Sequence, residues 1–149
     1  MGTIDKNKGR EMARICACFN LRRTTRLVSQ AYDQALKPLG LKITQLSVLM
    51  AAHGMENMLL TKLAAGMGMD RTTLSRNLKL LEKKGLVELG KGEDRREIRV
   101  RLTEKGYATM KQAIPLWEEA QARLVESFGP GRYEEMLSDL RALAKVVRR

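Results

Sequence analysis

The feature that most constrains this chain is a change of apolar period at Gly85. Before it, Leu74, Leu78 and Leu81 fall at i, i+4 and i+7, one face of an α-helix. Asp70 stands where an N-cap belongs and Gly85 where the helix must end. After it, Val87 and Leu89, then Ile98, Val100 and Leu102, alternate at period two around Gly90-Lys91-Gly92-Glu93-Asp94-Arg95-Arg96. That spacing predicts a β-hairpin with a polar, basic tip. Upstream, Thr61 is placed to cap a short helix, KLAAGM, and Gly68 allows the tight corner that follows, because glycine takes positive φ without cost. Downstream, Thr103 caps the next helix. Residues 60–106 therefore read as helix, corner, helix, hairpin, helix.

The second of these helices, residues 71–84, carries the chemistry. At 100° per residue, Thr72, Arg76, Lys79 and Lys83 project opposite the leucines, with Ser75 on the flank. Short hydroxyls and cations on an exposed rod, beside a basic loop, suit the major groove of DNA. Arginine can bind guanine O6 and N7 with two hydrogen bonds, and Thr or Ser can meet either class of base edge. Thr72, Ser75, Arg76 and Arg95 are expected at bases or in a groove. Thr61, Lys79, Lys91 and Arg96 are expected at phosphates, as is Arg71. Thr73 completes the expected contact set. Arg95 or Arg96, at a loop tip, fits a narrow groove of strong negative potential. Asp94 either orients one of these arginines through an ion pair or is an ordinary turn residue.

Charge supports a polyanionic partner. The formal net charge is +11, distributed unevenly: +6 over residues 1–43, −1 over 44–60, +5 over 61–101 and +1 over 102–149. An uneven basic field of this size is the electrostatic footprint expected for nucleic acid; a solvated basic face with no partner is the plainer alternative. The 149 residues suffice for one compact domain without metal or disulfide staples. No apolar run approaches the roughly 20 residues that span a bilayer, and the start, MGTIDKNKGRE, lacks the apolar core of a signal peptide. A cytoplasmic location, with reduced thiols and no membrane partner, is the expectation.

The flanking segments are amphipathic. Residues 12–36 read as one long helix, with Ile15, Phe19, Leu21, Val28, Tyr32 and Leu36 at helical spacing and Arg22, Arg23 and Arg26 on a cationic face. Thr44 is placed to cap a helix that ends at Gly54. A helix from Thr103 to Phe128 contains Pro115, a site for a kink or reset. After Gly129-Pro130-Gly131, a last helix carries Tyr133, Met136, Leu137, Leu140, Leu143, Ala144 and Val147. One small core cannot easily cover all these stripes. A second copy of the chain would; folding back on a single core is the alternative.

The order of these parts resembles the MarR family of winged helix-turn-helix regulators. Three segments carry the resemblance: LTKLAAGMGMDRTTLSRNLKLLEKKGLV, then GEDRREIRVRLTEKG with its Asp94-Arg95-Arg96 and Leu102-Thr103-Glu104-Lys105-Gly106, and the long helical material at both ends. It spans about residues 12–147. The implied fold is mainly α with a small β-hairpin wing, a winged helix-turn-helix flanked by long dimerisation helices. Residues 12–37 and 104–147 would form the dimerisation region and 44–103 the DNA-binding lobe. The resemblance also implies a homodimeric transcriptional regulator, usually a repressor. It would bind a pseudo-palindromic operator in double-stranded DNA and be released by a small-molecule inducer or by oxidation of a thiol. A sequence-indifferent architectural DNA-binding protein is the rival reading; it shares the charge but has no need of a capped helix with a hydroxyl-rich face.

Cys16 and Cys18 are candidate redox sensors. Cys18 and Tyr32 lie near where peroxide-sensing members of the family place a reactive thiol and a supporting tyrosine. Arg22 and Ile43 stand where further tyrosines are expected, so the pattern is incomplete. The alternative is two small buried hydrophobes in a dimerising helix. A structural zinc site wants four ligands, and His53 is the only other soft donor, so no metal is expected. No phosphate-binding glycine loop, Ser/His/Asp set or carboxylate pair stands out, and no catalytic residue or cofactor is assigned. Thiol-based catalysis at Cys16 or Cys18 is the remaining enzymatic rival. His53 reads as structural, with lining a ligand pocket as the alternative; Tyr107, Trp117 and the methionines read as core or interface.

Overall fold

The computed structural model describes residues 5–54, 58–92, 94 and 97–147. In chain order the elements are α1 (Lys6–Ile15), α2 (Ala17–Leu36), a 3-10 turn (Lys37–Leu39), α3 (Ile43–His53), β1 (Met58–Leu59) and α4 (Leu60–Met67). There follow α5 (Arg71–Lys83), β2 (Val87–Lys91), β3 (Ile98–Leu102), α6 (Glu104–Phe128) and α7 (Pro130–Val147). The fold is mainly α with a small hairpin wing, as the period change at Gly85 implies. None of the described helices is long and apolar enough to cross a membrane.

The core is centred on the winged part, closed by Leu36 of α2, Leu41, and Met110 and Ala113 of α6. Leu74, Leu78 and Leu81 of α5 are fully buried, as are Leu49 of α3 and Val100 of β3. Gly68 takes φ 65° at the corner between α4 and α5, and Gly85 takes φ 71° at the end of α5. The hairpin pairs antiparallel from Val87 opposite Leu102 to Lys91 opposite Ile98. This register puts Glu88 opposite Arg101 and Gly90 opposite Arg99, all on the face away from the core. At the base of the wing, the Leu86 carbonyl accepts from the Thr103 amide at 3.2 Å. A Cβ on Gly106 would lie 1.9 Å from that same carbonyl oxygen, so only glycine fits where α6 leaves the sheet.

Four local expectations are corrected. The long first helix is two: Cys16 adopts extended backbone (φ −71°, ψ 113°) between α1 and α2. The break is held by Asn20, whose side-chain amide donates to the carbonyls of Ala13 (3.0 Å) and Cys16 (2.9 Å). Thr44 is not a cap: the N-cap of α3 is Lys42, two residues earlier, and the Ile43 amide donates to the Asp33 carboxylate of α2 at 2.7 Å. Nor does Thr61 cap α4. That helix begins at Leu60 because Leu59, its N-cap, is the last residue of a strand. That strand, β1, pairs with β3 through Met58–Val100 and Leu59–Arg99, so the sheet is three-stranded, in the order β1-β3-β2.

Candidate nucleic-acid interface

The geometry of α5 follows from its two ends. Asp70 accepts the Thr73 amide at 2.8 Å and the Thr73 hydroxyl at 2.5 Å. These bonds, the hydroxyl first and the amide second, hold the Asp70 carboxyl below the ordinary aspartate range. At the other end, Gly85 donates to the Glu82 carbonyl at 2.8 Å, and its own carbonyl accepts the Thr103 hydroxyl at 2.7 Å. A helix fixed at both ends, with three leucines buried beneath it, presents one face rigidly.

That face matches the spacing argument. Arg71, Thr72, Arg76, Lys79 and Lys83 are exposed and Ser75 is half-buried. Thr73 is also exposed, but its hydroxyl hydrogen is committed to Asp70, which leaves its methyl and lone pairs for any contact. Thr61 and Lys62 lie exposed in the first turn of α4. Lys91 is exposed at the end of β2. The wing loop is closed by the Gly92 amide donating to Glu97 and the Glu97 amide donating to the Asp94 carbonyl, each at 2.9 Å. The Asp94 backbone thus takes part in the turn; an ion pair from its carboxylate to Arg95 or Arg96 would involve residues outside those described. Arg95 and Arg96, expected at the tip, lie outside the described residues. Lys84, at the end of this helix, is exposed but donates from its ammonium to the Gly40 carbonyl at 2.9 Å.

Beside this lobe, Ile43, Leu46, Ser47 and Met50 of α3 and Ile114 and Trp117 of α6 line a cavity of about 360 Å3. Its one polar side chain, Ser47, donates its hydroxyl to the Ile43 carbonyl at 2.9 Å. At the far end of α3, the His53 ring lies 5.5 Å from that of Tyr107, tilted by 60°.

The thiols occupy the α1–α2 break. Cys16 is half-buried, and its Sγ accepts the Phe19 amide at 3.5 Å as the N-cap of α2; Cys18 is exposed. Neither thiol is buried within a single chain; the alternative of two hydrophobes in a dimerising helix concerns burial against a second copy. Tyr32 donates its hydroxyl to the Gln121 side chain, and Gln121 donates to the Tyr133 hydroxyl at 2.8 Å. Tyr32 has a single O–H, so that donor serves α6 rather than a thiol. Burial first, and Tyr133 second, push its phenol above the ordinary tyrosine value.

A family model described as "MarR family" matches residues 39–97. Among solved structures, the transcriptional regulator MosR of M. tuberculosis in complex with DNA is 40% identical. It superposes with a TM-score of 0.78 over 90% of this chain and 99% of that one. CouR of Rhodococcus jostii RHA1, bound to p-coumaroyl-CoA, is 27% identical, with a TM-score of 0.73 over 88% of this chain and 93% of that one. The HTH-type transcriptional regulator YwoH of Bacillus subtilis is 29% identical over 121 residues, 81% of this chain and 80% of that protein.

Proposed function

Because the chain belongs to the MarR family of DNA-binding transcriptional regulators, a non-enzymatic class, we propose that it is a homodimeric repressor of a pseudo-palindromic operator. Residues 44–103 read DNA, and residues 12–37 and 104–147 pair the two copies. The observation that carries this is the row of Thr72, Arg76 and Lys79 on a helix capped at both ends, flanked by exposed cations on α4 and the wing.

Within that row the residues divide. Arg76, near the middle of α5, reads base edges with Thr72 and Ser75, while Lys79, Arg71, Thr61 and Lys91 hold phosphates. Arg95 enters the neighbouring groove, Arg96 meets the backbone, and Thr73 contributes its methyl. The test is fluorescence anisotropy on an operator selected from random-sequence DNA and on a scrambled duplex. Arg76→Ala should cost about 1–3 kcal/mol on the operator and relax sequence preference, whereas Lys79→Ala should weaken both duplexes alike and lower the salt slope by about one. Equal losses on both duplexes for Arg76→Ala would remove it as a reader. If the wild-type protein selects no preferred site, the architectural reading replaces this one.

Release of DNA follows from a ligand in the α3–α6 cavity. Its walls are apolar apart from Ser47 and include Trp117, which suits a small, flat, uncharged aromatic compound. Thiol oxidation is the second route, favoured by one observation: Cys16 and Cys18 flank the first residue of α2, with Cys18 exposed. Titration with small phenols and with peroxide, read as loss of operator binding, separates the two, because a Cys16→Ser/Cys18→Ser protein keeps the first response and loses the second.

A further inference from the structure

The corner between α2 and α3 is held from two sides by polar contacts that DNA contact does not require. On one side, Asp33 of α2 accepts the Ile43 amide at 2.7 Å. On the other, Lys84, the C-cap of α5, donates from Nζ to the Gly40 carbonyl at 2.9 Å and to Gln45 Oε1 at 3.3 Å. Gln45 is the buried polar residue of the described core, 8% exposed, and its Oε1 also accepts the Lys42 amide at 3.2 Å. The Lys84 carbonyl in turn accepts Lys105 Nζ of α6 at 2.8 Å. One residue at the end of the reading helix therefore touches the corner that follows α2, the first turn of α3 and the first turn of α6. These contacts span 44, 39 and 21 residues of sequence.

We propose that Lys84 is a positioning residue for DNA reading. It pins the end of α5 to the α2–α3 corner, fixing the separation and tilt of the two reading helices in the dimer, and touches no phosphate itself. Two of its three ammonium donors are committed inside the protein. The corner it grips is continuous with α2, one of the helices assigned to pairing, so the tie links the reading helix to the dimer axis by a short path. This inference rests on the dimeric operator reading above.

The experiment compares a duplex carrying the inverted repeat selected by the wild-type protein with duplexes having one base pair inserted or removed between the half-sites. One base pair rotates the far half-site by about 34°, so a rigid dimer discriminates among the three. In Lys84→Met the preference for the selected spacing should narrow by about threefold or more, with the salt slope unchanged. Lys79→Ala should show the reverse: spacing preference kept, slope lowered by about one. Lys84→Arg should restore most of the discrimination. Gln45→Met removes an acceptor while leaving the cation in place and should reproduce the Lys84→Met result, which decides the matter should Lys84→Met fold poorly.

An intact spacing preference in both Lys84→Met and Gln45→Met, or a salt slope lowered by about one in Lys84→Met, would overturn the positioning role. Equal weakening on all three duplexes would make the tie merely structural and overturn it as well. A wild-type protein indifferent to spacing is a different failure: it removes the dimeric reading and the inference with it.

Discussion

The winged lobe and the outer helices answer the same problem differently. In the lobe, α3, α4, α5 and the sheet bury most of their leucines and valines, among them Leu49, Leu63, Leu74, Leu78, Leu81 and Val100. In the outer helices the apolar stripe has little of its own chain to cover it. No residue of α7 is buried, Val146 and Val147 are 68% and 73% exposed, and Ile15 and Phe19 are 68% and 50% exposed. The lobe is complete as a single chain. The outer helices present the apolar surface that a symmetric second copy would cover. A chain can thus complete the packing of one part and leave the apolar stripes of another uncovered, so the two parts should fail in different ways.

The largest expected difference comes from the same substitution made where α6 leaves the sheet at the base of the wing and in the first helix. Gly106→Ala forces a Cβ into the Leu86 carbonyl and should cost about 3 kcal/mol or more, or prevent folding. Gly9→Ala in α1, where nothing lies within 4 Å of the added carbon, should stabilise its helix by up to about 1 kcal/mol. Urea melts of the two variants should move in opposite directions; a tolerated Gly106→Ala would mean the close approach of α6 to Leu86 is not required.

Core truncation comes next. Leu78→Ala, at a fully buried site, should lose about 2–5 kcal/mol of stability. Leu143→Ala on α7, 38% exposed, should barely change the melt of isolated chains. Its effect belongs instead to association. Phe19→Asp combined with Leu143→Asp should weaken pairing by about 100-fold or more, seen as monomer by light scattering while the lobe keeps its circular dichroism. Retained dimer in that variant would place the interface elsewhere.

The smallest effect is at the head of α5. The Asp70 carboxyl is held below the ordinary aspartate range by Thr73. Its stabilisation is therefore complete above the unfolded-state value, near pH 4, and fades as pH falls through the lower folded-state value. Asp70→Ala should lower Tm by a constant amount between pH 6 and 8, and the gap to wild type should close in the acid range. A gap that persists at low pH would mean the carboxylate is not what caps the helix.

What the residues disclosed beforehand follows the same division. The lobe was legible because its signals are local: a carboxylate cap at Asp70, leucines at helical spacing, Gly85, then alternation in the hairpin. Where a non-local partner decides, local signals mislead. Thr44 and Thr61 are good cap residues, yet α3 starts where Asp33 of α2 meets its first amide, and α4 starts where β1 leaves the sheet. The two residues of β1 are too few for alternation to show. The break at Cys16 was hidden because the apolar spacing runs on through it; the side chain of Asn20 sets it, and no periodicity records that. The contacts of Lys84 were not legible because its acceptors lie 44 and 39 residues away. The basic row of α5 needed no such partner and was placed by spacing alone.

On the function proposed above, a complete reading head and a second copy together recognise one DNA sequence. Sedimentation of the protein with a fluorescent duplex at physiological salt tests both halves at once, using the selected operator and a scrambled duplex of equal length. Two chains per operator are expected, with a preference of roughly 10³-fold or more over the scrambled duplex. Equal, steeply salt-dependent binding to both duplexes, with no fixed stoichiometry, would contradict it.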